Sequence, residues 1–371
     1  HASYRRQRQM CIRDSPDIWD PSVDPKSIPI ENIDMANSDI FMHGDAIFPL
    51  FERLRKEDPV HFCPESCVEE VGAYWSITKY NDIMEVDTNH KVFSSEGSIT
   101  LFDPEEDFTT PMFIAMDPPK HDIQRKAVNP VVAPSNLINM KDLIRERTAE
   151  VLDNLPRNKE FNWVEEVSIE LTTRMLATLF DFPFHDRRKL TRWSDVSTAR
   201  PGDGIVDTEE QRKEELFECL EYFTHIWNER VNSEPKTDLV SMLAHNPSTR
   251  NMEPMEYLGN LILLIVGGND TTRNSMTGGV LALNQNRDQY EKLRKDHSLI
   301  YSMVPEIIRW QTPLAYMRRT ALEDYELGGK LIKKGDKVIM WYVSGNRDEE
   351  VIDNPNSFII DRKRPRTHLS Y

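Results

Sequence analysis

Apolar positions concentrate in one stretch of the chain, residues 258–283. It opens with the unbroken block Leu261-Ile262-Leu263-Leu264-Ile265-Val266. Such a block is apolar on every side of a 3.6-residue period, which predicts a buried helix rather than a surface one. It runs straight into Gly267-Gly268-Asn269-Asp270-Thr271-Thr272, and apolar positions resume at Met276, Val280, Leu281 and Leu283. Pro254 stands at a first-turn position, where its missing N–H does no harm. Read as one helix, the stretch is about thirty residues and ~45 Å long at 1.5 Å per residue. Two mid-helix glycines cost about 1 kcal/mol each relative to alanine, and Asn, Asp and Thr compete for the backbone with their own side chains. The same six residues also make a good turn, with Asp270 or Thr271 capping a second helix. Pattern alone leaves both readings open.

Elsewhere the period predicts helices over 45–56, 80–89, 120–129, 136–154, 163–180, 186–199, 208–231 and 301–311. The first carries Ile47, Leu50, Phe51 and Leu54 on one face, and the last contains Pro305, which implies a helix start or a kink. Residues 290–296 read as solvated. Strands are expected at 60–62, 73–77, 325–327 and 337–340, where the period drops to two. Between 94 and 119 lies an irregular but apolar segment with Ile99, Leu101, Phe102, Phe108, Met112 and Phe113. A long apolar loop is usually functional, although it can simply pack down on the core. The fold class is mainly α with a small β-rich part.

Composition narrows the function classes. The 371 residues are 39% hydrophobic, enough for a sizeable core. No apolar run is long enough to span a membrane, and no signal pattern opens the chain. A formal net charge of −16 argues against nucleic acid as a general partner. Residues 1–15, with Arg5, Arg6, Arg8 and Arg13, form a basic stretch that reads as a disordered or artefactual tail. Sparse cysteine use (Cys11, Cys63, Cys67 and Cys219) fits a reducing cytoplasm better than a disulfide framework. His61, Cys63 and Cys67 match no standard zinc spacing and lack a fourth ligand, so a strand end is the better reading.

Three further features carry chemistry only in combination. His121 and Arg125 are four apart, share a helix face and can reach one anionic group; solvated faces carry such pairs often. Glu306 and Arg309 are three apart, and their neighbours Ile307, Ile308 and Trp310 place them in an apolar setting, where an ion pair needs further partners. Helices on either side of the Pro/Gly/Asp-rich segment 200–207 suit a movable lid or an ordinary helical hairpin.

In their order these motifs resemble the bacterial cytochromes P-450. A long helix with Gly-Gly-x-Asp-Thr-Thr is followed by Glu306-x-x-Arg309, then by Arg319, two short hairpins and Phe358-x-x-x-Arg362. The resemblance covers nearly the whole chain from about residue 30 on. Residues 112–129 and 310–346 are similar to the soluble branch that hydroxylates n-alkanes and fatty acids at or near the terminal carbon.

The resemblance implies a haem-dependent monooxygenase, with residues 16–371 as one domain. Asp270 and Thr271 would be the acid–alcohol pair beside the oxygen site, and Gly267 and Gly268 would let cofactor and oxygen approach the backbone. His121, Arg125 and Arg319 match the haem-propionate ligands, with His368 near the same face. Glu306, Arg309 and Arg362 match the structural triad. Ile99, Leu101, Phe102, Phe113, Leu263, Val266, Leu314 and Met317 would face a small hydrophobic substrate, and the helices flanking 200–207 would form the access lid. Haem b, dioxygen as co-substrate, and electrons from NAD(P)H through a separate ferredoxin and ferredoxin reductase are implied as well. The family's iron-ligand cysteine follows a segment like 367–371, and none of the four cysteines stands in that context. The resemblance therefore implies an incomplete P-450 fold, with the ligand cysteine beyond Tyr371 and this chain inactive on its own. The alternatives are a cytochrome P-450 acting on a steroid or terpenoid, and a non-catalytic helical ligand-binding protein.

Overall fold

The computed structural model describes residues 22–105 and 107–370; the basic stretch 1–15, with Cys11, and Tyr371 lie outside the described residues. Elements follow in the order α1 (Ile47–Glu57), β1 (Val60–Cys63), β2 (Tyr74–Ile77), α2 (Tyr80–Thr88) and β3 (Phe93–Ser94). Next come α3 (Lys120–Val132), α4 (Pro134–Asn139), α5 (Lys141–Asp153), α6 (Glu170–Phe180), α7 (Arg188–Thr198), α8 (Glu209–Val231), α9 (Leu239–His245) and α10 (Pro254–Gln285). The chain ends with α11 (Arg287–Lys295), α12 (Ile300–Gln311), β4 (Met317–Ala321), β5 (Tyr325–Leu327), β6 (Lys330–Ile332), β7 (Lys337–Met340) and α13 (Tyr342–Gly345). The architecture is mainly α with small sheets, as the periodicity implies. Contacts group it into two compact units: one ends at Glu105 and resumes at Asn286, and the other is the stretch between.

The first unit is built on a five-stranded sheet of order β1-β2-β7-β4-β3. Strands β2 and β7 pair in parallel, and the other neighbours are antiparallel. Strands β5 and β6 form a separate hairpin. Gly328 and Gly329 turn it with φ of 55° and 76°, the left-handed geometry that two-residue hairpin loops require. The core of this unit gathers Ile47, Leu50, Phe51 and Leu54 of α1 with Ile339 and Trp341.

The second unit is helical, and α10 is its long element. The helix is unbroken over 32 residues, so the turn reading of Gly267–Thr272 is wrong. The polar insert is satisfied inside the helix. Thr271 Oγ1 donates to the Gly267 carbonyl at 2.9 Å, and Ser275 Oγ donates to the Thr271 carbonyl at 2.7 Å. Leu258, Leu261 and Ile265 are fully enclosed in the core of this unit with Phe180, Trp193 and Phe223. At ~25 cal/mol per Å² of apolar area, this burial outweighs the two-glycine penalty.

Two other expectations change. The single helix over 136–154 is two, since Pro134 starts α4 and the chain steps at Met140 into α5. Residues 290–296 are solvated as read, none of them buried, and 290–295 lie in helix α11. Pro305 is the sixth residue of α12, and neither opens nor ends it.

One buried carboxylate organises the end of the first unit. Glu306 is fully buried on α12 and receives Arg309 through two 2.8 Å bonds, Arg362 Nε at 2.8 Å and the Ile359 N–H at 2.8 Å. Arg309 donates onward to the carbonyls of Asn346, Pro355 and Ser357. Removing one partner of a buried ion pair leaves an uncompensated charge. Glu306→Gln is therefore expected to lower stability by about 3–5 kcal/mol, read from the urea unfolding midpoint; an unchanged midpoint would refute the network's role.

Candidate active site

The residues singled out in the sequence fall in both units. In the second, α10 carries Gly267, Gly268, Asp270 and Thr271. Asp270 Oδ1 accepts Arg273 Nη2 at 2.7 Å and Asn269 Nδ2 at 3.3 Å. Arg273 also reaches Asp195 on α7 at 3.1 Å. Burial is the main reason the Asp270 carboxyl lies above the usual aspartate range; Arg273 opposes the shift, and the Asp195 charge adds to it. Asn269 is fully buried and accepts Thr172 Oγ1 of α6 at 2.8 Å. Arg273, Asp195 and Thr172 were not singled out in the sequence. Arg273 stands three residues after Asp270, a spacing that places both on one helix face; Asp195 and Thr172 leave no such signal.

The two glycines differ. A Cβ on Gly268 would lie 2.6 Å from Leu176 Cδ2 of α6, so helix packing accounts for this glycine. A Cβ on Gly267 would meet nothing within 4 Å, so this position is open, and its carbonyl is the one that takes the Thr271 hydroxyl.

His121 donates from Nδ1 to the Phe113 carbonyl at 2.8 Å, since a carbonyl oxygen can only accept. Its Nε2 can then donate to a carboxylate only as imidazolium. Arg125, one turn on along α3, is exposed and has no hydrogen bond or ion pair among the described residues. Phe113 and Val266 are half-buried against the core of this unit, and Leu263 is half-buried.

In the first unit, Arg319 on β4 is buried and donates to Asp87 at 2.7 Å and to the Arg318 carbonyl at 3.1 Å. His368 has a buried Nδ1 without a partner among the described residues. Burial foremost, then Arg309, lowers its pKa, with Glu306 acting the other way. Next to it Leu369 is held by Asn346, which accepts the Leu369 N–H at 2.6 Å and donates to its carbonyl at 2.8 Å. Leu101 and Met317 are core residues of this unit, while Ile99, Phe102 and Leu314 are half-buried. In the lid segment, Asp203 accepts the backbone N–H groups of Arg200 and Ile205.

Within the second unit, the unpaired guanidinium of Arg125 fits a carboxylate arm of a cofactor, and Gly267 leaves its helix face open. Within the first unit, His368 offers an orphaned buried nitrogen, while Arg319 is engaged by Asp87. The described cysteines do not fit an iron thiolate. Burial pushes the Cys63 thiol up to about 12 and raises Cys219 as well, so both stay protonated. Cys67 lies in a loop with its N–H on Asp34. Cys63 and His61 are engaged at the strand end, by the Glu65 carbonyl and Asp58. No helix among the described residues is long and apolar enough to cross a membrane.

The glycine geometry predicts opposite responses. Gly267→Ala should raise stability by up to about 1 kcal/mol, the usual helix-propensity gain. Gly268→Ala should fall short of that gain or reverse it, because Leu176 must move. Thermal unfolding of the two variants tests this, and an equal gain at both positions would refute it.

The family model for Cytochrome P450 matches residues 202–368. Linalool 8-monooxygenase of Pseudomonas putida is 31% identical, over 90% of this chain and 84% of the relative. Among solved structures, cytochrome P450-153 from Novosphingobium aromaticivorans has a TM-score of 0.82 and 43% identity, covering 95% of this chain and 85% of its own. CYP153D17 from Sphingomonas sp. PAMC 26605 has a TM-score of 0.79 and 49% identity, covering 86% and 80%. The helix-rich fold, the order of motifs and these likenesses agree: the chain belongs to the cytochrome P450 family of monooxygenases.

Proposed function

We propose that this cytochrome P450 hydroxylates n-alkanes or fatty acids at or near the terminal carbon. The observation that carries the reading is the likeness of residues 112–129 and 310–346 to the branch that takes such substrates. Identity of 43% and 49% with the two 153-type cytochromes, against 31% with linalool 8-monooxygenase, supports that branch over a terpenoid enzyme. Within the second unit, the half-buried apolar side chains of Phe113, Leu263 and Val266 suit a ligand with no polar body, and within the first unit Ile99, Phe102 and Leu314 are half-buried as well.

Haem b is the proposed cofactor, and when bound it supplies dioxygen activation and insertion of one oxygen atom into an unactivated C–H bond. His121, Arg125 and Arg319 would hold its propionates through charge-assisted bonds, and His368 is a further candidate for that role. The iron-ligand thiolate is not assigned to Cys63, Cys67 or Cys219. Electrons would come from NAD(P)H through a ferredoxin reductase and a ferredoxin, and sparse cysteine use supports a reducing cytoplasm as the setting.

The chain's own residues handle protons. The Thr271 hydroxyl gives its hydrogen to the Gly267 carbonyl, so toward anything else it acts as an acceptor. Asp270 keeps a raised proton affinity, chiefly through burial, which suits a carboxyl that passes protons. Arg273 and Asp195 hold its orientation.

Two measurements test the reading on protein expressed from its full reading frame. Titration with dodecane and lauric acid should give type I spectral shifts; tighter binding of linalool or a sterol would move the substrate class. Thr271→Ala should keep substrate binding but divert NAD(P)H to hydrogen peroxide, so that product formed per NAD(P)H falls. Unchanged coupling would remove Thr271 from proton delivery.

A further inference from the structure

Within the second unit, the end of the apolar loop is fastened to α10 and α3 by contacts that neither the motifs nor the family likeness single out. Gly259 faces the loop backbone directly. A Cβ there would fall 2.7 Å from the Thr110 carbonyl oxygen and still nearer that of Pro111, so only glycine lets the loop lie flush on the helix. One residue on, Asn260 is fully buried and accepts the Phe113 N–H on Oδ1 at 2.9 Å. Its amide nitrogen is 3.3 Å from Gln124 Oε1 and 3.2 Å from Met252 Sδ. Gln124 in turn donates to Glu256, which pairs with Lys120 at 3.1 Å. The carbonyl of Phe113 is taken by His121 from α3, whose ring stands edge-on to the Phe113 ring at 6.2 Å.

Both backbone polar groups of Phe113 are thus held by side chains from two different helices. The carbonyl already accepts the Met116 N–H at 3.2 Å within the turn Phe113–Ala115, so the His121 bond is an additional one, whereas Asn260 supplies the acceptor for the N–H. Ordering a large aromatic in this way removes rotational freedom from one wall of a site. A rigid wall discriminates ligand length better than a yielding one, because a misfitting methylene then costs its full packing energy.

We propose that Gly259 and Asn260 are positioning residues that fix Phe113 as a rigid wall of the hydrophobic substrate site, and that through it they set the chain length accepted. The chain-length part, and the place of Phe113 at the substrate site, rest on the alkane and fatty-acid reading. The clamp itself does not. Gly259→Ala and Asn260→Ala disturb it by different routes: the first pushes the Thr110–Pro111 backbone away, and the second removes the acceptor for the Phe113 N–H.

The experiment uses protein from the full reading frame and two readouts. Amide hydrogen exchange reports Phe113 directly, and its protection should fall roughly tenfold in Asn260→Ala, about the value of one net hydrogen bond. Equilibrium dialysis with labelled octanoic and myristic acids gives the ratio of their dissociation constants, which should change roughly threefold or more in both variants. A purely structural role would lower the unfolding temperature and weaken both acids equally, so an unchanged ratio overturns the proposal. Unchanged Phe113 protection in Asn260→Ala overturns the clamp. If the unsubstituted protein binds neither acid, the fatty-acid reading and the chain-length role fall together, and Phe113 exchange alone then decides whether the clamp exists.

Discussion

A buried helix offers its polar side chains no water, so each must find a partner or the helix breaks. That constraint governs α10 and, through it, the candidate site. Asn260, Asn269, Asp270 and Thr271 are all met: by the Phe113 N–H, the Thr172 hydroxyl, the Arg273 guanidinium and the Gly267 carbonyl. All four partners come from α10 itself or from segments packed on it. The polar insert survives because the surrounding helices supply what a turn would have taken from its own backbone. The same bonds set the chemistry: Thr271 is left as an acceptor, and Asp270 is desolvated yet tethered.

Glu306 obeys the same rule with a full charge. A lone carboxylate at that depth would be prohibitive. Two arginines and a backbone N–H meet it, and Arg309 passes its remaining donors to the carbonyls of 346, 355 and 357. Asn346 sits at the join: its carbonyl takes Arg309, while its side chain holds both backbone groups of Leu369. The position of His368, with its orphaned Nδ1, follows from that chain of bonds.

The pattern made much of this legible. The α1 face, the extent of α8 and the Glu306–Arg309 pair could be read from period and spacing, because local geometry alone places residues three or four apart on one face, while Arg362 joins that pair only through the family resemblance. Other features left no trace of that kind. The break at Met140 follows from how two short helices pack, and the burial of Leu101 and Met317 from the sheet they pack on or pair within. Gly259 and Asn260 are two small and polar residues in an apolar run, a hint of close approach that only the loop at 110–113 explains.

By itself the sequence determined the fold class, the family likeness and the residue types available for acid, alcohol and cation roles. Those depend on chain-local quantities: hydrophobic period, helix spacing and the order of motifs. The tertiary structure decided between helix and turn at Gly267–Thr272, separated the open glycine from the packed one, turned Arg319 toward Asp87 and tied Phe113 to Asn260. Each of these is a contest between a local preference and partners distant in sequence. Burial makes the long-range partners decisive, because an unpaired polar group costs more inside the protein than any local propensity can return.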